Sequence, residues 1–148
     1  MPTPTALDTL IELATRDSDA ATKQLGRCIS LGNDAQQKLD MLQQYRDDYA
    51  ARFEQNLLSG LSAISYRNFQ LFIEKLDNAL AGQREVIRLT QLRIGEAKLA
   101  WQACERKRLS YDTLATRAKT EALVIAGRRD QKQNDEHAAR MMYYNRQN

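Results

Sequence analysis

The sequence predicts an all-α protein, a long two-helix antiparallel coiled-coil hairpin whose second helix overhangs the first. Three observations predict it. Apolar or small residues recur in alternating steps of three and four along most of the chain, this pattern breaks once, and no proline follows Pro4. A period of about 3.5 residues sustained this long describes a coiled-coil seam, not one side of a compact globule. A single break folds that seam into two arms. The whole chain, 1–148, therefore reads as one hairpin domain: a helix over about 5–57, a hinge at 58–65, a helix over about 66–140 and a short C-terminal tail.

The first arm carries its stripe as Ile11, Ala14, Ser18, Ala21, Leu25, Cys28, Gly32, Ala35, Leu39, Leu42, Arg46, Tyr49 and Phe53. Pro2 and Pro4 stand where a helix tolerates or begins with proline. The hinge falls in Leu57-Leu58-Ser59-Gly60-Leu61-Ser62-Ala63-Ile64-Ser65. Gly60 can end a helix in the left-handed conformation, and Ser62 or Ser65 can cap the next. The hinge is unusually apolar for a solvent turn. Its leucines either close the end of the coil or form a binding tip, and closure is the simpler account.

The second arm runs Phe69, Ile73, Leu76, Leu80, Gln83, Ile87, Thr90, Ile94, Ala97, Trp101, Cys104, Arg108 and Tyr111, then Ala115, Ala118, Ala122 and Ile125. At 1.5 Å per residue the two arms would measure about 80 and about 110 Å, so the second must outrun the first. A turn centred near Leu61 sets Phe53 against Phe69, Leu42 against Leu80, Leu39 against Gln83, and Ile11 against Tyr111. Large residues then find small ones opposite: Trp101 faces Ala21, Ile87 faces Ala35, and Leu25 faces Ala97. Such alternation fills a core without strain. An antiparallel dimer of extended chains would offer similar layers, so the pattern alone leaves that alternative open.

The net charge is +3, but its distribution says more. Residues 1–83 hold 8 Lys/Arg against 11 Asp/Glu, and residues 84–148 hold 14 against 8. An acidic arm beside a basic one favours the hairpin weakly, because exposed pairs contribute little each. Basic excess can also signal nucleic acid. Here Arg106-Lys107-Arg108 and Arg128-Arg129 are interleaved with Glu105, Asp112, Glu121 and Asp130, which argues for a solvated mixed-charge face and no nucleic-acid partner.

Chemistry-bearing motifs are missing. The sequence has no phosphate-binding glycine loop, paired metal motif or nucleophile elbow, so we expect no enzyme, cofactor or metal. His137 stands among Asp135, Glu136 and Arg140 on a polar helix end, and Cys28 and Cys104 fill seam positions as small apolar residues. No apolar stretch approaches membrane-spanning length, so no direct membrane insertion and a cytoplasmic location are expected.

What remains is apolar surface. Tyr45 and Phe72 widen the seam toward one flank, beside Leu42, Tyr49, Leu76 and Ala79. They either cover the seam edge or form a docking strip, and the two readings weigh equally. Beyond about Ala118 the second arm has no partner, yet it reads Ala122-Leu123-Val124-Ile125-Ala126. Such a segment should seek another protein or a second copy.

With those residues in view, the chain resembles the FliJ family, the small coiled-coil component of the bacterial flagellar type III export apparatus. The resemblance covers nearly the full length. It rests on Ala6-Leu7 with Thr9-Leu10, on Met41-Leu42 with Tyr45 and Tyr49, and on Gln70 with Phe72-Ile73, Leu76, Ala79 and Gln83-Arg84. It continues through Trp101, Arg108-Leu109 and Leu114 to Asp130-Gln131-Lys132, Asp135-Glu136, Ala138 and Arg140. It implies a non-enzymatic stalk-like coiled coil that couples the hexameric export ATPase (FliI), with its regulator (FliH), to the cytoplasmic domain of the membrane export gate (FlhA). It also implies recycling of flagellar substrate chaperones, and a place on the cytoplasmic face of the membrane at the flagellar base. The gate-contacting strip maps to Leu42, Tyr45, Tyr49, Phe72, Leu76, Ala79 and Gln83. Relatives carry histidine at the position of Gln83 and glutamine at that of Lys38, which puts those two positions in doubt. The overhang residues Leu123, Val124, Ile125, Arg128, Arg129 and Lys132 are the expected ATPase contacts. A general secretion chaperone or adaptor, including the related rod of a virulence-type system, is the alternative.

Overall fold

The computed structural model describes residues 5–147 as two α-helices, α1 (Ala6–Leu58) and α2 (Ala63–Gln147), packed against each other as a hairpin, with no strand among the described residues. Helix α2 starts at Ala63, not near 66, because Ser62 is the cap in use. Its hydroxyl accepts the Ser65 N–H at 3.2 Å, and its carbonyl accepts the Tyr66 N–H at 3.1 Å. At the other end the expected tail is helical as far as Gln147. Nothing in residues 141–147 breaks a helix, since proline and glycine are both missing there.

Gly60 makes the turn. Its φ of 89° lies in the left-handed region, the one such residue among those described, while the Ser59 and Gly60 N–H groups bond back to the Asn56 and Leu57 carbonyls. Helix α1 opens on a capping box. Thr5 N–H donates to Asp8 Oδ2 at 3.0 Å, and Asp8 N–H donates to Thr5 Oγ1 at 3.1 Å.

Contacts divide the chain into two compact units. In the unit Ser18–Ala103 the stripe read from sequence is the buried stripe. Ser18, Cys28, Ala35, Leu76, Leu80 and Gln83 are buried, and Leu25, Leu39, Leu42, Ile73, Ile87, Ile94 and Trp101 are half-buried. Phe53 stacks on Phe69 with ring centroids 3.6 Å apart, the pairing that the expected register requires. Gly32 is a close-approach point as well: a Cβ there would lie 2.9 Å from Ile94 Cδ1 and 3.5 Å from Thr90 Cγ2. Among the described residues no large side chain is fully buried, as a seam two helices wide dictates.

The other unit joins the chain up to Asp17 with the chain from Cys104 onward. Leu7, Ile11 and Ala14 of α1 supply its seam, with Arg108, Tyr111 and Ala115 of α2 half-buried. The pairing stops there. Every described residue from Thr116 to Gln147 is exposed, including the seam positions Ala118, Ala122 and Ile125.

Candidate functional sites

The first candidate site lies near the hinge end of the Ser18–Ala103 unit. Six aromatic rings form a connected run there. Tyr45 meets Phe72 edge to face at 6.1 Å, Phe72 meets Tyr49 at 4.5 Å, and Tyr49 stacks on Phe69 at 5.3 Å. Phe69 then leads to Phe53, and Phe53 to Tyr66 at 5.6 Å. The inner rings Tyr49, Phe53 and Phe69 belong to the seam, and Phe72 and Tyr45 carry the run outward. Tyr45 is 54% exposed, so it is a surface residue with one ring neighbour and not a seam cover.

The expected strip therefore divides by depth. Tyr45 and Ala79 are exposed, and Leu42, Tyr49 and Phe72 are half-buried. Leu76 and Gln83, each 8% exposed, face the other helix. Gln83 is held there by its own chemistry: Nε2 donates to the Ala35 carbonyl at 2.9 Å. Burial leaves these two little to offer a partner. Met41 was missed as a member. It is 73% exposed and, with Lys38, Leu42, Gln44, Tyr45 and Asp48, lines a shallow apolar groove on α1. A seam-first reading passes over Met41, since it lies one residue outside the stripe. On the opposite flank the Arg46 guanidinium pairs with Asp77 across the two helices. That hydrogen bond, then the opposite charges, holds the Asp77 carboxyl below the usual range and raises the Arg46 value.

The second candidate site is the unpartnered end of α2. Leu123, Val124 and Ile125 are 74%, 48% and 58% exposed. Val124, Ile125 and Arg128 line one shallow depression with Glu121, and Arg128 and Lys132 line the next with Asp135 and Glu136. Arg129 follows Ile125 by one turn. Leu123 is not brought to this face, because successive residues turn by about 100° and place it nearly opposite Ile125. The basic residues are thus mixed with carboxylates. Near the start of the same unit, Asp8 is held below the usual carboxylate range, first by the Thr5 N–H, then by the Thr5 side chain, with the charge of Lys119 adding.

Among the described residues no three His, Cys, Asp or Glu side chains cluster as metal ligands, and both cysteines are free thiols. No described helix is long and apolar enough to cross a membrane.

A family model described as flagellar FliJ protein matches residues 3–148. The chain belongs to the flagellar FliJ protein family. It is 29% identical over 135 residues to the flagellar FliJ protein of Escherichia coli K12, covering 91% of this chain and 92% of that one. It is 31% identical over 137 residues to the flagellar FliJ protein of Salmonella typhi, again covering 91% and 92%. The FliJ match spans both sites, the aromatic flank and the exposed end of α2 alike.

Proposed function

We propose that this FliJ-family chain is a non-enzymatic component of the flagellar protein export apparatus that couples the export ATPase ring to the membrane export gate and helps recycle substrate chaperones. Family membership supports the flagellar assignment. The coupling role rests on one observation: two apolar surfaces, one in each unit, lack an intramolecular partner. They are the flank bearing Tyr45 and Phe72, and α2 beyond Ala115. A protein that bridges two partners needs two such surfaces, and isolated exposed apolar patches of this kind mark interfaces. In this reading Tyr45, Phe72 and Ala79, with the half-buried Leu42 and Tyr49, meet the cytoplasmic domain of the gate. Val124, Ile125, Arg128, Arg129 and Lys132 meet the ATPase and its regulator. The chain would then work at the cytoplasmic face of the membrane through its partners.

The test is a strain lacking this chain, scored for swimming and for export of flagellar subunits. Complementation with the wild type should restore both. Tyr45→Ala with Phe72→Ala should restore neither while accumulating to wild-type level. Full swimming without the chain would overturn the export role.

A further inference from the structure

From Glu121 to Arg146 the exposed end of α2 carries its chemistry in four blocks. The apolar Val124 and Ile125 come first, followed by the basic Arg128, Arg129 and Lys132. The acidic Asp135 and Glu136 come next, and the apolar Ala139, Met142 and Tyr143 last. All are exposed, Met142 and Tyr143 by 63% and 61%. They recur in steps of three and four, so they share one side of the helix, along which both shallow depressions lie. Asp130 and His137 lie on the other side, and Arg140 stands at the margin, one turn after Glu136. This side continues the seam of the hairpin. The stripe through Tyr111 and Ala115 goes on through Ala122 and Ile125 beyond the start of α1, where Asp8 lies in the field of Lys119.

A second helix of the same sequence, running the opposite way, meets each block with its complement. Ile125 of one copy then faces Met142 of the other, Lys132 faces Asp135, Glu121 faces Arg146, and Arg128 packs over Ala139. At the rim Arg129 comes beside Glu136, and the small Ala122 beside Tyr143. Two-fold symmetry repeats every contact. A slip of one heptad would set Arg128 against Lys132 and Ile125 against Asp135, and a parallel pair would oppose Lys132 to Lys132. Like charges therefore exclude those arrangements and select the antiparallel one. Among the described residues Glu121, Lys132 and Arg146 make no ion pair within their own chain, and Asp135 accepts only from the Gln131 amide, at 3.1 Å. We infer that a second copy of this chain covers the exposed end of α2, as an antiparallel two-fold helix pair about 39 Å long. The copy's α2 runs in the direction of α1 and takes up the seam where α1 leaves it. The pairing itself does not depend on the ATPase reading. Because it covers Ile125, Arg128 and Lys132, it also keeps the face assigned to the ATPase closed until the ATPase displaces the copy.

Sedimentation equilibrium of the full chain tests this. The wild type should show a reversible monomer–dimer equilibrium that weakens as salt rises, and the chain truncated after Lys119 should stay monomeric. Lys132→Asp and Asp135→Lys should each weaken the dimer about tenfold with helicity unchanged, while Asp130→Lys, on the other side, should dimerise as wild type does. An equimolar mixture of the Lys132→Asp and Asp135→Lys chains should restore the dimer, since it sets aspartates only against lysines. A full chain that stays monomeric, a truncated chain that still dimerises, or single variants that dimerise like wild type would each overturn the pairing. A mixture that fails to restore the dimer would overturn the antiparallel register. Purified export ATPase, added to the wild type, should lower the dimer fraction. An unchanged fraction would overturn the assignment of the ATPase to this face and leave the pairing intact.

Discussion

Tyr45 and Leu76 are neighbours in the strip read from sequence, yet they differ in what they touch. Leu76 is buried between the helices, so Leu76→Ala should cost about 2–4 kcal/mol. Tyr45 is more than half exposed, and Tyr45→Ala should change stability by less than about 1 kcal/mol. Urea unfolding of both variants separates them, and a large loss for Tyr45→Ala would show its ring to be core. The same contrast runs through the glycines. Gly82 and Gly95 lie inside α2 with open space where a Cβ would sit, so alanine at either should stabilise by about 0.5–1 kcal/mol through helix propensity alone. Gly60 also has open space but holds a φ of 89°, and Gly60→Ala should cost about 1 kcal/mol or more. Melting temperatures of these variants check the sign, and a stabilising Gly60→Ala would mean the turn is made another way.

At the scale of the helices, the start of α1 and the cross-helix pair both depend on ionised carboxylates. Asp8 and Asp77 have values lowered in the folded state, Asp8 chiefly by the Thr5 N–H and Asp77 chiefly by the Arg46 guanidinium. A lowered folded value contributes stability above the unfolded value, about 3.9, which is lost as pH falls through the folded one. Helicity and melting should therefore be flat from about pH 7 to 5 and decline below about pH 4. Asp8→Ala should fray the first turns of α1 already at neutral pH, as faster amide exchange there, and should remove part of the acid response. An unchanged exchange rate would show that the capping box contributes nothing. Both helices, their 3.5-residue stripe and the Phe53–Phe69 layer were legible in the sequence, since a coiled coil writes its contacts into its period. The sequence offers Ser62 and Ser65 alike as caps, and only hydrogen-bond geometry separates them. The Arg46–Asp77 pair and the bond from Gln83 to the Ala35 carbonyl were not legible, because side-chain reach across a seam depends on rotamers that periodicity does not encode. For the same reason periodicity does not decide whether Tyr45 covers the seam or joins the strip, whereas the burial of Leu76 and Gln83 follows from the stripe itself.

At the scale of the molecule, the long exposed end of α2 is the feature that a self-contained fold would not keep. Residues from Thr116 onward bury nothing, although Val124 and Ile125 would each gain about 1.5–3 kcal/mol on full burial. Lone helices of this kind hold together chiefly through packing, so a helix left without it is suited to acquiring a partner. All buried and half-buried residues of both units lie at or before Ala115, and truncation after Lys119 removes none of them. The shortened chain should fold, with a melting temperature within a few degrees of the full chain. It should retain gate binding through Tyr45 and Phe72 and lose binding to the export ATPase. Full-length binding to the ATPase should also weaken as salt rises, since Arg128 and Lys132 border the apolar face and Arg129 follows Ile125 by one turn. Charge reversal at those three positions should reproduce most of the truncation's effect, whereas Leu123→Ser, on the far side of the helix, should not. A truncated chain that still binds and stimulates the ATPase would move that contact into the paired part of the hairpin and leave the exposed end free to pair with a second copy.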